Sequence, residues 1–541
     1  MKVVSGKQMR EIEKLAIEEL GIPSILLMEN AAIRLAEHCL KLINSITSCK
    51  TNDQTGSRQF KVLIVSGPGN NGGDGLALAR LLQLKGVDTK VFYIGDVNSA
   101  INKVICEKCS KTSDASVYLA IVKNLGIPIY PIPSSVSHNN LPEELPDIKN
   151  LIESCDLVVD AIFGTGLDRD VEGSCKYLIE MINNHARYII SADIPSGIHS
   201  DSGQVMGSAV KAAETITFCS PKIGLYVYPG AAYAGKVHVE DITIPAALID
   251  RVETEAEVLT DIEAKRLLPV RGQRSNKGSF GKVMVFAGSN EMPGAAALAC
   301  SAAYITGGGL VCACVLPQVA AVIHHWQREV ITRIVPEKNG MYCKNSLKNI
   351  KDEVNKANAI IIGPGIGRSP DVTEFVYELI NMTEVPIVLD ADALFALSEN
   401  AGILKQLKAP CVITPHPGEM SRLTGLSVPD ILNNIVDTAV SFSVKHNVIT
   451  LLKDAHTIIA NPKGKFYINL TGNNSLSKAG TGDVLTGMIA GFIAQGLDVF
   501  TASALGAYFH GKAGEAASAS KSCYSVTAED VLKYVGCLLV N

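Results

Sequence analysis

Near its carboxyl end the chain carries a glycine-rich segment, A-G-T-G-D at residues 479–483, followed by apolar residues at the spacing of one helical face. The N-terminus of such a helix presents unpaired N–H groups and the positive end of the helix dipole, which favour a phosphate or a developing oxyanion. Gly480 and Gly482 let the backbone approach that anion without interference from Cβ. Asp483 lies in the first turn, where it can take a proton from a hydroxyl beside the phosphate. The alternative is that Asp483 only caps the helix.

A second glycine-rich segment, G-P-G-N-N-G-G-D-G at residues 67–75, follows a predicted buried strand at 61–66 and precedes a predicted leucine-rich helix. A strand, a glycine loop and a helix in this order bind phosphates at the edge of parallel sheets. The spacing matches neither the dinucleotide fingerprint nor the P-loop. A tight structural turn is the alternative, although the asparagines and the aspartate among these glycines favour a ligand loop.

Two further predicted strands in the first half end in aspartates, Asp160 and Asp193, each followed by a loop containing glycine. The carboxyl ends of the strands of a doubly wound sheet line the ligand crevice, so Asn71, Asp160 and Asp193 can converge there. Oxygen atoms near Asn71, Asp160 and Ser196 suit a hard cation. A single Asp at a strand end is more often a turn or capping residue.

The composition predicts several α/β domains. The 541 residues are too many for one core, and 47% hydrophobic residues, 46 glycines and 5% aromatics fit buried parallel strands. A net charge of −5 argues against a broad surface for nucleic acid or anionic membranes. The first residues show no secretory signal and no apolar run approaches the length of a membrane span, so we expect a cytoplasmic protein. The fourteen cysteines are scattered and predicted to be reduced, and a single C-x-x-C at Cys106 and Cys109 does not favour a zinc site.

We place a domain boundary near Asp250, giving domains 1–250 and 251–541, because a polar stretch without strong periodicity separates a strand at 236–239 from a new helix capped by Thr260. Strands in the second half are predicted at 282–288, 359–363, 386–390, 409–414 and 448–453, with helices such as 295–304 between them. Several of these strand ends are polar or glycine-rich, namely 363–367, 390–392, 414–419 and 453–457. With the 479–483 segment they predict a site for a phosphorylated ligand and a hydroxyl.

The first half resembles the NAD(P)H-hydrate epimerases in the runs V-S-G-P-G-N-N-G-G-D-G-L-A-L-A-R, D-A-I-F-G-T-G-L-D-R, S-A-D-I-P-S-G and F-C-S-P-K-I-G-L. The resemblance implies a Rossmann-like doubly wound domain in which Asp193 transfers a proton near the hydrated C6 of the nicotinamide, and Lys222 faces the substrate or is a solvated lysine. It assigns a potassium site to Asn71, Asp160 and Ser196. The insertions at 45–59 and 96–115 are predicted surface loops. The phosphates and sugar would be held by Asn70, Asn71, Gly72, Gly73, Asp74, Gly164, Thr165, Gly166, Leu167, Asp168, Arg169 and Asp170.

The second half resembles the ribokinase-like superfamily and, within it, the ADP-dependent NAD(P)H-hydrate dehydratases, in G-P-G-I-G, T-P-H-P-G-E-M-S-R-L-T-G and A-G-T-G-D-V-L-T-G. The resemblance implies that Asp483 frees the C6 hydroxyl to attack the terminal phosphoryl of the nucleotide. The amides at Gly480, Thr481 and Gly482 would stabilise the transferring group. The hydrate would be contacted by Ala295, Gly367, His416 and Asp483, and the nucleotide by Lys453, Asp454, Ala455, His456, Thr457 and Gly482.

Two positions depart from that family's usual pattern. The family usually has K-G-A-H-T where this chain has Asp454 after Lys453, which adds a carboxylate near the expected phosphates. It commonly has a Gly where this chain has Ala479, and Lys478 stands beside the anion loop. The nucleotide preference is therefore open: we expect ADP with Mg²⁺, and ATP is possible.

The sequence as a whole predicts a bifunctional enzyme that repairs hydrated NADH and NADPH. One domain would interconvert the R and S hydrates, and the other would dehydrate the S hydrate, releasing AMP and phosphate if ADP is used. We expect a homo-oligomer without nucleic-acid or membrane partners. Two alternatives are a ribokinase-like kinase for a vitamin alcohol and a first domain that is a non-catalytic interaction module.

Overall fold

The computed structural model describes residues 1–48, 59–105, 113–133, 147–348 and 350–540. The chain divides into two compact units, residues 2–254 and the residues from Glu255 onward together with Met1. The boundary that we predict for the two activities, near Asp250, remains a prediction.

The N-terminal unit is built on a seven-stranded parallel sheet in the order β4-β3-β2-β5-β6-β7-β8. Alternate residues of its central strand β2 enter two cores, Val62 and Ile64 one core and Leu63 and Val65 the other. A strand buried on both faces explains why its sequence is continuously apolar. The strands of this unit are β1 (Lys2–Val3), β2 (Lys61–Ser66), β3 (Asp88–Ile94), β4 (Ile129–Ile132), β5 (Leu157–Ala161), β6 (Ile189–Ala192), β7 (Glu214–Phe218) and β8 (Lys236–Glu240).

Helices cover both faces of this sheet. The first begins at a capping box in which Ser5 and Gln8 satisfy each other's backbone N–H groups. The helices are α1 (Gly6–Glu18), α2 (Ser24–Ser48), α3 (Asn70–Leu84), α4 (Val97–Ile105), α5 (Asp114–Asn124), α6 (Ile148–Ser154), α7 (Gly173–His185), α8 (Gly230–Ala234) and α9 (Ala246–Arg251).

The C-terminal unit has a mixed sheet. Seven strands run parallel in the order β12-β11-β10-β13-β14-β15-β16. Beyond β16, β17 pairs antiparallel with β16, β18 pairs antiparallel with β17, and β9 pairs parallel with β18. These strands are β9 (Ala256–Glu257), β10 (Lys282–Phe286), β11 (Leu310–Val315), β12 (Ile331–Ile334), β13 (Ala359–Ile362), β14 (Ile387–Leu389), β15 (Cys411–Ile413), β16 (Ile449–Leu452), β17 (Thr457–Ala460) and β18 (Phe466–Asn469).

One helix of this unit, α19 (Thr481–Ala494), is buried on almost every side, because α11 and α20 pack against it in addition to the sheet. Small residues permit this packing: a Cβ at Gly487 would lie 2.3 Å from the carbonyl oxygen of Ala299. The other helices are α10 (Asp261–Leu267), α11 (Pro293–Ile305), α12 (Pro317–Trp326), α13 (Lys351–Val354), α14 (Pro370–Met382), α15 (Asp392–Leu397), α16 (Pro417–Thr424), α17 (Val428–Asn433), α18 (Ile435–His446), α20 (Val499–Ser520) and α21 (Ala528–Leu538).

The predicted α/β class with parallel sheets is confirmed, and the strand predicted at 61–66 has those bounds in the structure. The prediction of surface loops at 45–59 and 96–115 is wrong for part of each insertion, because α2 continues to Ser48 and residues 97–105 form α4, whose Ile101 is buried against the core. The rest of these insertions at 49–58 and 106–112, with Cys106 and Cys109, lies outside the described residues. The described cysteines form no disulfide. Within the described part of the chain, every helix is too short or too polar to span a membrane.

Candidate functional site

The N-terminal unit has a cavity of about 540 Å³ at the carboxyl edge of its sheet. The strand order reverses between β2 and β5, which is where parallel α/β sheets place their ligand crevice. Loops that follow β2, β5, β6 and β7 all reach this cavity. Of the residues predicted to hold the substrate, those that line it are Asn70, Asn71, Asp74, Gly164, Thr165, Gly166, Leu167, Asp168, Arg169, Asp193 and Lys222.

The predicted phosphate loop is shorter than expected, because α3 already begins at Asn70 after Gly69 as its N-cap. Gly72 and Gly73 therefore lie in the first turns of the helix and not in a loop, and they do not line the cavity. Gly72 is needed for packing, since a Cβ there would lie 1.8 Å from the carbonyl oxygen of Gly67. The ligand-facing part of the motif is the N-terminus of α3, whose unpaired amides suit an anion.

Asp193 is held at the cavity by hydrogen bonds to a single oxygen. Its Oδ1 accepts from Lys222 Nζ, from Thr217 Oγ1 at 3.1 Å and from the Phe218 amide at 3.4 Å. Lys222 is itself 1% exposed, and its Nζ also donates to the Phe218 carbonyl oxygen at 3.2 Å. Lys222 is therefore a buried ion-pair partner of Asp193, and the solvated alternative is wrong. The hydrogen bonds described for the Asp193 side chain all end on Oδ1, so its other carboxylate oxygen, Oδ2, is available to a ligand.

The backbone at Asp193 is strained, with a φ of 62° that non-glycine residues rarely adopt. Such strain of about 1–3 kcal/mol persists where the surrounding structure enforces it, which is common at functional sites. Here the amide of Asp193 is fixed by the Ile216 carbonyl oxygen at 2.7 Å.

Four more carboxyl groups line the same cavity, those of Glu13, Asp74, Asp114 and Asp168. Burial, together with the charge of Asp193, raises the pKa of Glu13, and the same two causes with Glu13 raise the pKa of Asp74 well above its ordinary value. Glu13 and Asp74 therefore hold a proton more tightly than ordinary carboxyl groups, which suits proton exchange in this cavity. We did not predict Glu13 from the sequence. The available signal was an acidic residue four positions after Met9, on the buried face of α1.

The predicted cation ligands do come together behind the cavity. Asp160 is fully buried, and its carboxylate accepts hydrogen bonds from Ser191 Oγ, Ser196 Oγ and the Ser196 amide. Burial raises the pKa of Asp160, and these hydrogen bonds oppose that effect. Asn71 donates through Nδ2 to the Phe163 carbonyl oxygen at 2.9 Å, while its buried Oδ1 has no hydrogen-bond partner among the described residues. Ser196 Oγ, which contacts Asp160, donates to the same Phe163 carbonyl oxygen at 3.3 Å, and an unpartnered buried carbonyl oxygen suits a hard cation.

Asp170 is the remaining predicted contact in this unit, and it does not line the cavity. Its Cβ lies 3.3 Å from where a Cβ on Gly207 would stand, so it packs against a different loop. Of the substrate contacts predicted for residues 164–170, the last that lines the cavity is therefore Arg169.

In the C-terminal unit, Asp483 lies in the first turn of α19, after Gly480 as N-cap with a φ of 90°. Burial is the largest cause that raises the pKa of Asp483 to about 7; the charges of Asp390 and Asp392 add to it, and Lys453 opposes it. A carboxyl group with that pKa is a suitable general base near neutral pH. As the helix shows no side-chain capping bond at its N-terminus, the capping alternative for Asp483 is not supported.

Lys453 is the cation of this site. Its Nζ lies 3.1 Å from Asp390 Oδ1 and 3.9 Å from Glu419 Oε2. Burial lowers the pKa of Lys453, but these two carboxylates outweigh it and the net shift is upward. A Cβ at Gly482 would stand 3.7 Å from both Lys453 Nζ and Asp390 Oδ2, so the first turn of α19 faces this pair.

His416 is fixed as the N-cap of α16. Its Nδ1 accepts from the Gly418 amide at 3.0 Å, which leaves Nε2 as the protonated nitrogen of the neutral ring, 3.5 Å from Glu419 Oε1. Burial, opposed by Glu419 and aided by Lys453, lowers the pKa of His416. The predicted ligand histidine is therefore linked to Lys453 through Glu419.

Gly367 and Ala295 both lie at the loop formed by residues 363–367 in the same unit. The Gly367 amide donates to Asp392 Oδ2 at 3.0 Å, and Arg368 Nε donates to Asp392 Oδ1 at 2.7 Å. Ala295 lies 3.0 Å from the position of a Cβ on Gly365, so it packs against the 363–367 loop. Asp392, whose charge acts on Asp483, connects this loop to the α19 terminus.

The other predicted nucleotide contacts directly follow Lys453 in the chain, and their role stays a prediction. Asp454, Ala455 and His456 lie in the connection between β16 and β17, and the hydroxyl of Thr457, the first residue of β17, donates to the Asp454 carbonyl oxygen. Lys478 Nζ donates to the Tyr524 carbonyl oxygen, a partner the sequence did not indicate. His510 was also missed: burial lowers its pKa to about 4, and its buried Nε2 has no hydrogen-bond partner among the described residues. A lone histidine in an apolar helix offered no signal for this.

Two protein-family models match the chain. The model described as NAD(P)H-hydrate dehydratase matches residues 283–536, and the model described as YjeF-related protein N-terminus matches residues 24–224. A solved structure similar to the second half is an ADP/ATP-dependent NAD(P)H-hydrate dehydratase from Bacillus subtilis co-crystallised with ATP/Mg²⁺, 30% identical, covering 52% of this chain and 96% of that one with a TM-score of 0.46.

Full-length relatives match as well. The bifunctional NAD(P)H-hydrate repair enzyme Nnr of Moorella thermoacetica is 36% identical over 542 positions, which cover 100% of this chain and 97% of the relative. The protein of the same name from Thermofilum pendens is 33% identical, covering 99% of this chain and 95% of the relative. With two matching domain models in the same order and these relatives along the whole length, the chain belongs to the family of bifunctional NAD(P)H-hydrate repair enzymes.

Proposed function

We propose that the cavity of the N-terminal unit interconverts the R and S hydrates of NADH and NADPH, and that the α19 site dehydrates the S hydrate at the expense of ADP. The observation that carries the second assignment is a buried carboxyl group with a pKa of about 7, Asp483, in the first turn of a helix whose N-terminal glycine faces a lysine. It is the arrangement that phosphoryl transfer to a hydroxyl needs: a base, a cation and the amides of a helix N-terminus.

In the proposed dehydration, Asp483 takes the proton of the C6 hydroxyl while that oxygen bonds to the terminal phosphorus of ADP. The bond between this phosphorus and the bridging oxygen breaks, and AMP leaves. The C6–O bond then breaks with its electron pair on the departing phosphate, and loss of a proton from the neighbouring ring carbon restores the dihydropyridine. Lys453 and the amides at 480–482 stabilise the charge on the phosphoryl group during transfer.

Magnesium is proposed to accompany the nucleotide, because Mg²⁺ is usually bound by phosphates together with one or two carboxylates. Asp390 and Glu419, which both face Lys453, are the carboxylates that fit this role. ADP is the proposed nucleotide, and ATP is the alternative.

For epimerisation, Asp193 Oδ2 is proposed to take the proton of the C6 hydroxyl as the C6–N1 bond breaks, which leaves an aldehyde at C6 and an electron pair on N1 that Asp74 or Glu13 protonates. Attack of N1 on the other face of the aldehyde re-forms the C6–N1 bond, and the protons return to the carboxyl group and to the new hydroxyl. Lys222 holds the carboxylate in place through its contact with Oδ1. The N-terminus of α3 and the 164–169 segment are proposed to hold the phosphates and sugar of the substrate.

Potassium is proposed to lie beside Asn71 Oδ1, with oxygen atoms of Asp160 and Ser196. The unpartnered buried oxygen of Asn71 supports this proposal, because a cation there would satisfy it. A homo-oligomeric state and a cytoplasmic location remain predictions.

Two measurements test the proposal. Purified protein is incubated with hydrated NADH and either ADP or ATP, and recovery of NADH absorbance is followed together with release of AMP, ADP and phosphate. Epimerisation is measured separately by chromatographic resolution of the R and S hydrates without nucleotide, in potassium and in tetramethylammonium buffer, for the wild type and Asn71→Leu. A phosphoester product in place of phosphate would indicate a kinase, and an unchanged R to S ratio in potassium buffer would contradict the epimerase.

A further inference from the structure

A cluster of two histidines and two glutamates lies in the N-terminal unit, outside the residues assigned to either reaction. His38 belongs to α2, Glu214 to β7, and His238 and Glu240 to β8. One ligand atom from each of His38, Glu214 and His238 lies within 4.8 Å of the others. The cluster borders a cavity of about 490 Å³, whose lining also includes Lys41, Leu42 and Ser45.

The fold brings these side chains together through strand register. Parallel pairing places Glu214 opposite Lys236 and Ile216 opposite His238, so that Glu214, His238 and Glu240 project from one face of neighbouring strands. Ile216 belongs to the buried core that also contains Leu35 and Cys39 of α2, which shows that α2 covers this face. His38, next to Cys39, therefore meets the strand residues.

The side chains have ligand geometry but an incomplete set of hydrogen bonds. His38 Nε2 lies 2.8 Å from Glu240 Oε1, and His238 Nε2 lies 2.8 Å from Glu214 Oε2. Despite that short distance, the buried His238 Nε2 makes no hydrogen bond to a described residue. The two imidazole rings are close, with centroids 4.6 Å apart. The Glu214 carboxylate lies close to that nitrogen but outside hydrogen-bonding geometry, and a metal ion between the two groups would bind both.

The electrostatic environment suits a dication. The carboxylates of Glu214 and Glu240 offset the charge of the ion, with Arg34 Nε 3.9 Å from Glu240 Oε2 as a nearby cation. Tyr188 Oη donates to Glu214 Oε1 at 2.6 Å, the kind of outer contact that orients a ligating carboxylate.

We propose that His38, His238 and Glu214, with Glu240 as the fourth ligand, bind one divalent transition-metal ion of the zinc class. Two imidazoles and two carboxylates form a ligand set that zinc accepts in four-coordinate sites. Four protein ligands from three elements leave no open position for substrate, so the ion would be structural, joining α2 to the edge strand β8.

The test uses the full-length protein without a polyhistidine tag, freed of metal with a chelator, and isothermal titration with Zn²⁺ without nucleotide. The cluster variant is His38→Gln/His238→Gln. One control is His185→Gln, whose Nδ1 also lies 2.9 Å from a glutamate, Glu153, in the same unit. A second control is Cys106→Ser/Cys109→Ser, which removes the C-x-x-C. We expect about one tight equivalent in the wild type and both controls, and loss of that equivalent in the cluster variant, with both enzymatic reactions retained as evidence of folding.

A second measurement does not depend on variants that fold. Co²⁺ added to the metal-free wild type should give the intense visible bands of a tetrahedral nitrogen and oxygen site, without a thiolate charge-transfer band. Tyr188→Phe should weaken binding about tenfold, since it removes only the outer hydrogen bond. Absence of binding in the wild type, binding that persists in the cluster variant, or a thiolate band from Co²⁺ would each overturn the proposal.

Discussion

The ammonium group of Lys453 lies 3.1 Å from Oδ1 of Asp390, whose other carboxylate oxygen accepts a hydrogen bond from Thr486 in α19 at 2.9 Å. This pair acts on Asp483 with opposite signs, because the Asp390 charge raises the pKa of Asp483 and the Lys453 charge lowers it. The basicity of the proposed catalytic group is thus set by an ion pair between the ends of β14 and β16, which lie on either side of β15 in the sheet.

Replacing Asp483 by Asn should abolish the dehydration and leave epimerisation unchanged. Loss of a general base typically costs about 10²–10⁴ in rate. Asp371→Asn, in the first turn of α14 but paired with a surface lysine, is the matched control and should retain activity. Equal dehydration by Asp483→Asn and the wild type would rule out this base.

The pH dependence of dehydration should follow the same group. Asp483 acts as the carboxylate, so kcat/KM should fall as the pH decreases below about 7, its pKa in the folded protein. Stability follows the opposite direction: because burial raises that pKa above its ordinary value of 3.8, the group favours folding at low pH, and this stability is lost as the pH rises through about 7. Compared with Asp483→Asn, the wild type should lose at most roughly 4 kcal/mol between acidic and neutral pH, measured by urea unfolding.

Lys453→Met should reduce dehydration by about 10²-fold, as expected for loss of a group that stabilises the transferring phosphoryl. It should also move the acidic limb of the kcat/KM profile to higher pH, since the charge that lowers the pKa of Asp483 is gone. Lys445→Met, an exposed lysine on α18, is the control. A profile that stays in place would show that Lys453 does not act on Asp483.

Lys222→Met should impair epimerisation and destabilise the protein by about 3–5 kcal/mol, because it leaves the charge of Asp193 without its buried partner. The double variant Asp193→Asn/Lys222→Met should regain part of that stability and remain inactive as an epimerase. Unfolding curves and hydrate epimerisation are measured together, with Lys236→Met on the exposed edge of β8 as control. Full epimerase activity in Lys222→Met would contradict its positioning role.

Gly72→Ala should lower stability strongly and with it the epimerase activity, because the new Cβ would lie 1.8 Å from a backbone oxygen of Gly67, which cannot move aside as a side chain can. Gly69→Ala, three residues earlier, meets nothing within 4 Å and has backbone angles open to alanine, so it should fold normally. Thermal unfolding distinguishes the two. Equal stability would show that α3 does not pack against residue 67 as described.

The sequence by itself determined the family, the α/β class and the two activities, because glycine loops, strand-end aspartates and the G-T-G-D helix start depend on local residue types and spacing. It also predicted Asp193, Asp160 and Asp483 at the ends of specific strands or helices. Membership of the repair-enzyme family is confirmed over the full length. The residue roles stay predictions.

Only the tertiary structure decided which partners these residues have. The burial of Lys222 beside Asp193, the ion pair of Lys453 with Asp390, and the unpartnered Asn71 Oδ1 each join segments distant in the chain. The cluster of His38, Glu214 and His238 arises from strand register and helix packing, and the spacing of these residues in the sequence does not indicate it. Sequence patterns report local conformation, whereas pKa shifts, ion pairs and ligand sets depend on distances that exist only after the sheet has formed.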